Sequence, residues 1–433
     1  MHKYILFFTI FIINNLFGSV DEYISRIQTL IGDGEYMKAN EEFELAIKEY
    51  DANAGLYFIG GQVAVRLDRL NDADKHYKKS IELDNKNKDY RLAQEKLAEM
   101  NKAMVNAKIN YDIGLINDAI IEYEKLTSSY PEFAIVFYNL GRVYKVSEEY
   151  DLAVQNYKKA VELNPFEDKY VNSIKIISND MIKNGDEEYR IKEFDTAMDY
   201  YNKSIHYAPG YAPTYFKVAN VYLKLQEIDK AIESLKIGLS YDSSYAKIHL
   251  MMGKLYKKKN KIKLAKISIN SAININSNYT KAYFELGQIY YDEGNFDFAI
   301  KEYNNAIGTD STYQLAYLTL GLCELNSKNY SNAELYYRKA IKIDDKFIDA
   351  YYRLSELYNL QQKYSEAKDI AKQAIYIKQN YAPAHHELGI SEMYLCNVIA
   401  AKDSFEKAKN NRNFRQSSDS YLKNIDYYTK DCD

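Results

Sequence analysis

Apolar and polar positions along the chain recur with the three-and-four spacing of amphipathic helices, and no stretch keeps the two-residue alternation of a strand. The helical pattern is itself periodic. Ala197, Ala231, Ala265, Ala299, Ala333, Ala367 and Ala401 follow one another at 34-residue steps, and Ala39, Ala73, Ala119 and Ala153 extend the series with two longer steps. Seven residues after each alanine stands a second small residue, Leu126 excepted. Twelve before it stands a third, among them Gly141, Gly253, Gly287, Gly321 and Gly389, with Ile27 the exception. Large rings follow four residues after most of the alanines: Phe43, Tyr77, Tyr123, Tyr157, Tyr201, Tyr303, Tyr337 and Phe405. This pattern predicts two helices per unit, close at the small residues and filled by rings at the flanks. The prolines agree, since Pro131, Pro165 and Pro209 end second helices while Pro213 and Pro383 open first helices, where a missing N–H costs nothing.

One unit, read as Tyr283, Leu286, Gly287, Tyr290, Ala299, Tyr303 and Ala306 with Ser311 in place of a frequent proline, resembles the tetratricopeptide repeat, and the resemblance recurs eleven times. The units are placed at 20–53, 54–87, 100–133, 134–167, 178–211, 212–245, 246–279, 280–313, 314–347, 348–381 and 382–415. The resemblance implies an all-α fold, a right-handed superhelical solenoid of antiparallel helix pairs. Insertions 88–99 and 168–177 read as helical extensions: Tyr90, Ala93, Leu97, Met100, Met104, Ala107 and Tyr111 share one helix face, as do Tyr170, Ile174, Ile177 and Met181. The first helices that follow carry Asn106, Asn110, Asn184 and Glu188 at positions apolar elsewhere. The expected organisation is therefore a signal peptide at 1–19, two units at 20–87, an extension and two units at 88–167, an extension and seven units at 168–415, and a capping helix at 416–433.

Charge and chemistry narrow the function. With 57 basic and 61 acidic residues, net charge -4 and pI near 6.0, the chain is no general nucleic-acid binder. Residues 1–19 have a short basic start, an apolar run from Tyr4 to Ile13 and small residues at Gly18 and Ser19, a secretory signal pattern too short for a comfortable membrane span. A periplasmic or secreted protein is expected, with an inner-membrane anchor through an uncleaved segment as the alternative and no stable span after removal. Cys323, Cys396 and Cys432 are sparse and odd in number, so the expectation is two helix-packing thiols and a tail thiol, with neither disulfide framework nor zinc site. His385, His386 and Glu387 fail the zinc-protease pattern because Ile390 stands where the second histidine belongs. No catalytic elbow or phosphate loop is found, so neither an enzyme nor a cofactor is expected.

In the family the concave wall is lined by positions 2, 5, 9, 12 and 13 of the first helices. By that resemblance the partner-binding groove includes Tyr138, Arg142, Lys145, Phe216, Asn220, Lys224, Lys254, Lys257, Lys258, Phe284, Tyr291 and Tyr352. Seven lysines and no acid between Lys254 and Lys266 make it basic at mid-chain, while Asp292 and Glu356 mark an acidic turn further along. The leading expectation is a non-enzymatic scaffold of the cell envelope, holding an extended or helical partner segment, with an acidic segment or chain terminus favoured. The alternatives are a polysaccharide-handling module of an exopolysaccharide export system, which would take an anionic glycan, and a regulatory arm that has lost or docks an enzyme.

Overall fold

The computed structural model describes residues 19–430 and 432, and among these it contains 24 helices and no strand. The expected signal segment lies outside the described residues except for Ser19. That serine caps the first helix, Val20–Gly32: its hydroxyl accepts from Glu22 N at 3.3 Å and its N–H donates to Glu22 Oε2 at 3.0 Å, a reciprocal capping box.

The chain forms two compact units that divide between Val221 and Tyr222, inside helix Ala212–Lys224. In the first, Val20–Gly32 pairs with Tyr36–Glu49, Ala54–Arg66 with Leu70–Leu83, Lys88–Asp112 with Ile116–Ser129, Ala134–Val146 with Tyr150–Leu163, and Asp168–Arg190 with Phe194–Tyr207. The insertions are absorbed into single helices of 25 and 23 residues. Asn106 and Asn184 are exposed on these long helices, which accounts for polar residues at positions buried in other units. The second unit continues after Ile228–Tyr241 with Ala246–Lys258 on Ile262–Ile275, Thr280–Asp292 on Phe296–Thr309, Gln314–Asn326 on Tyr330–Ile343, Ile348–Leu360 on Tyr364–Ile377, and Ala382–Tyr394 on Val398–Ala408.

Close approach explains the small residues. A Cβ on Gly287 would lie 2.7 Å from the Tyr303 ring and one on Gly321 2.3 Å from the Tyr337 ring, distances no packed carbon tolerates. Each turn between paired helices places one residue at positive φ, yet only Gly34, Gly114 and Gly294 are glycine; the other eight run from Asp68 to Cys396. The next N–H returns to the carbonyl five residues back, as Arg69 N does to Ala64 O (2.8 Å) and Asn397 N to Glu392 O (2.8 Å). A side-chain bond also recurs at the fourth position of first helices, six residues back into the preceding turn. Tyr215 Oη donates to Pro209 O (2.8 Å) and Tyr351 Oη to Asp345 O (3.1 Å), while His249 and His385 bond Ser243 O (3.0 Å) and Gln379 O (2.6 Å). The two histidines thus stand in for tyrosine.

Two features differ from expectation. Cys396 and Cys432 are not separate thiols: they form a disulfide, because the chain folds back after the last pair and brings their Cα atoms to 5.4 Å; Cys323 alone is free, and it is buried. The C-terminal segment is also two helices, Arg412–Lys423 and Ile425–Tyr428, starting before residue 416 because Asn411 caps the first by accepting from Asn413 N at 2.9 Å.

Candidate functional site

The expected groove residues fall in both units. In the first, Tyr138 lies 5.0 Å from the Tyr170 ring and 5.8 Å from the Tyr157 ring. Two cations cover this cluster: Arg142 lies over Tyr111 (5.3 Å) and Tyr138 (6.0 Å), and Lys169 over Tyr170 (5.0 Å) and Tyr138 (5.8 Å). Lys169 also pairs with Glu167 at 3.3 Å, whereas the exposed Arg142 has no ion pair among the described residues. Lys145 is held by Asp180 at 3.6 Å. Phe216 is half-buried, and Asn220 spends its amide on Phe216 O at 3.0 Å. Asn220 borders a cleft of about 480 Å³ with Lys183, Asp186, Tyr201 and Lys217. Asp186 organises it, accepting from Tyr201 Oη at 2.7 Å and from Lys217 Nζ at 2.6 Å; burial, then this carboxylate, pushes the Tyr201 hydroxyl well above the ordinary phenol range.

In the second unit the lysine run is largely matched by acids. Lys254 pairs with Glu285 (2.8 Å), Lys257 with Asp292 (2.7 Å), Lys259 with Asp229, and Lys266 with Glu293 (2.7 Å). Lys224 and Lys258 are exposed, with no ion pair among the described residues. The aromatic members are engaged as well. Phe284 packs on Tyr303 and Tyr313 (5.5 and 5.3 Å), Tyr291 Oη accepts from Asn326 Nδ2 at 3.1 Å, and Tyr352, pushed up to about 12 by burial, lies 6.4 Å from both Tyr381 and Phe414.

Most of the acids that neutralise the groove cations lie outside the expected set of site residues. A signal existed: the partners stand one repeat away, offset to 35 residues for Lys145–Asp180 and Lys257–Asp292 and to 31 for Lys254–Glu285 and Asp186–Lys217. Each pair joins a first helix to the next first helix, so these are rungs along the wall rather than waiting ligand contacts.

Among the described residues there is no group of three His, Cys, Asp or Glu side chains placed for a metal, and no helix long and apolar enough to cross a membrane. Successive first helices carry runs of aromatic and charged side chains. A fold of stacked 34-residue helix pairs with such surfaces defines an α-helical repeat protein of the interaction-scaffold class. More particularly, models of the tetratricopeptide repeat match residues 54–87, 134–166, 212–245, 246–279, 284–346 and 348–381, together more than half of the sequence, and the chain belongs to that family. No curated protein matches it. Among solved structures it is similar to MamA, at 28% identity over 37% of this chain and 95% of that chain with a TM-score of 0.34. It is also similar to YrrB, described as a TPR protein with an unusual peptide-binding site, at 22% identity over 43% of this chain and 96% of that chain with a TM-score of 0.36. A third is the APC/C hetero-tetramer Cut9-Hcn1, at 14% identity over 95% of this chain and 91% of that chain with a TM-score of 0.48.

Proposed function

We propose that the protein is a non-enzymatic scaffold working outside the cytoplasm, and that its first-helix walls hold an acidic segment or chain terminus of another protein. The observation carrying the reading is the set of exposed cations left over after the rungs are counted: Arg142 over Tyr111 and Tyr138 in the first unit, Lys224 and Lys258 in the second. A guanidinium lying on tyrosine rings keeps its donors free at the rim, so a carboxylate can be taken without breaking an internal pair. Export is supported by the apolar run Tyr4–Ile13 behind a basic start and by the Cys396–Cys432 bond, since disulfides persist in oxidising compartments.

A poly-glutamate peptide is the first probe. Binding to the full chain should weaken with salt, because contacts at a wet surface are screened over about 8–10 Å. Arg142→Glu should weaken it, as should Lys224→Glu combined with Lys258→Glu. Affinity unmoved by salt and by all three reversals would sink the proposal; retention on an acidic polysaccharide but not on the peptide would replace the protein partner by an anionic glycan.

A further inference from the structure

The C-terminal end of the second unit joins three observations. Cys396 occupies the last positive-φ turn, at φ 61. Seven other non-glycine residues, among them Glu148, Lys192 and Lys328, hold the same backbone in their own turns, so it is the cysteine's bond and not its backbone that sets this turn apart. At that site the cysteine's Sγ reaches Cys432, 36 residues on, across the folded-back tail.

Between the two cysteines, helix Arg412–Lys423 packs on the fifth residues of first helices Ile348–Leu360 and Ala382–Tyr394 and on the second helix Val398–Ala408. Phe414 lies 5.2 Å from the His386 ring and 6.4 Å from Tyr352, Ser418 Oγ is 3.0 Å from His386 Nδ1, and Tyr421 stacks flat on Phe405 at 5.0 Å. Tyr352 belongs to the expected groove, so the chain's own segment sits where a partner side chain would. The covering segment is also weakly built. Its main helix has 12 residues, too few to persist alone in water, and its apolar hold is a short set of side chains, Phe414, Tyr421, Leu422, Ile425 and Tyr428, the last 6.5 Å from the Tyr394 ring.

We propose that the Cys396–Cys432 bond is a redox latch: oxidised, it keeps residues 412–428 over His386 and Tyr352; reduced, it lets the segment lift and uncovers them. The reductant is a dithiol. One of its thiolates attacks a sulfur of the bond, the mixed disulfide is resolved by the second thiol, and two electrons and two protons pass to Cys396 and Cys432 while the dithiol becomes its own disulfide. Removing a tether that closes a loop of this length should raise the frequency of opening on the order of a hundredfold. The inference concerns access to the surface and holds whichever partner is bound there.

The full chain is compared before and after dithiothreitol, and as the Cys396→Ser/Cys432→Ser double variant, by amide hydrogen exchange and by carbethoxylation of His386 read from its peptide. The expected result is exchange on the order of a hundredfold faster within 412–428, unchanged protection in helices Thr280–Asp292 to Tyr364–Ile377, and faster His386 modification. Equal protection in oxidised, reduced and variant chains would overturn the latch. So would loss of protection throughout 348–408 in the reduced wild type, which would make the bond a staple of the whole array, and so would two titratable thiols at 396 and 432 in the native chain.

Discussion

Tyr170 donates its hydroxyl to Asp68 Oδ2 at 2.6 Å across 102 residues of sequence, and Asn164 Nδ2 donates to the same oxygen at 2.7 Å. Asp68 is the positive-φ residue of the second turn, so the backbone twist that ends one helix aims a carboxylate at the start of the long helix Asp168–Arg190. Burial pushes that carboxyl above its ordinary range, and the two donors oppose the shift. Tyr170→Phe takes one donor from a buried acceptor and should lower the stability of the first unit by about 1–3 kcal/mol. Chemical denaturation followed by circular dichroism checks this, and a wild-type midpoint would show that the contact carries no stability.

Two glycine substitutions should act in opposite directions. Gly321→Ala drives a Cβ to 2.3 Å from the Tyr337 ring and should destabilise by about 1–3 kcal/mol through overpacking. Gly308, in helix Phe296–Thr309, has nothing within 4 Å of an added Cβ, so Gly308→Ala should be neutral or stabilising by up to about 1 kcal/mol through helix propensity. Thermal melts of the pair decide it, the reverse order being inconsistent with the packing.

Adjacent residues near the C-terminus titrate in opposite senses. Burial holds the Glu387 carboxyl up at about 8, only partly offset by Asn359 Nδ2 at 2.9 Å, and lowers His386 to about 4. The folded state binds the Glu387 proton more tightly than the unfolded chain, so this contribution is full below about 4.5 and is lost as pH rises through about 8; the His386 contribution is full above about 6.5 and is lost as pH falls through about 4. Between about 4.5 and 6.5 the two slopes oppose, leaving a decline above about 6.5 due to Glu387. Glu387→Gln should abolish that decline and unmask a loss of stability on acidification. Melting temperatures over this range test it, and an unchanged profile would show that Glu387 does not titrate in this window.

The rung pairs should contribute little energy individually. Lys257 is about one-quarter exposed and Asp292 about half, at 27% and 48%, so Lys257→Ala should cost under about 1 kcal/mol. A double-mutant cycle with Asp292→Ala measures the coupling; a value of several kcal/mol would mean the pair is far better shielded than its exposure indicates.

The helix pairs, their close crossings and the continuation of the insertions as helix were legible in the sequence, because each depends on side-chain size and spacing within one period. Ala299, Gly287 and Tyr303 declare a crossing by being small, small and large at fixed intervals, whatever the rest of the chain does. The polar surface was legible only in part. The sequence shows which residues are lysines, but Lys254 and Lys257 meet Glu285 and Asp292 by stacking of successive units, and the distance across that stack is a tertiary quantity. The Asp68–Tyr170 bond and the Cys396–Cys432 bond lie further from any local rule. They join residues 102 and 36 apart through the angles at which helix pairs accumulate and the tail folds back, and no periodic pattern encodes a contact that occurs once.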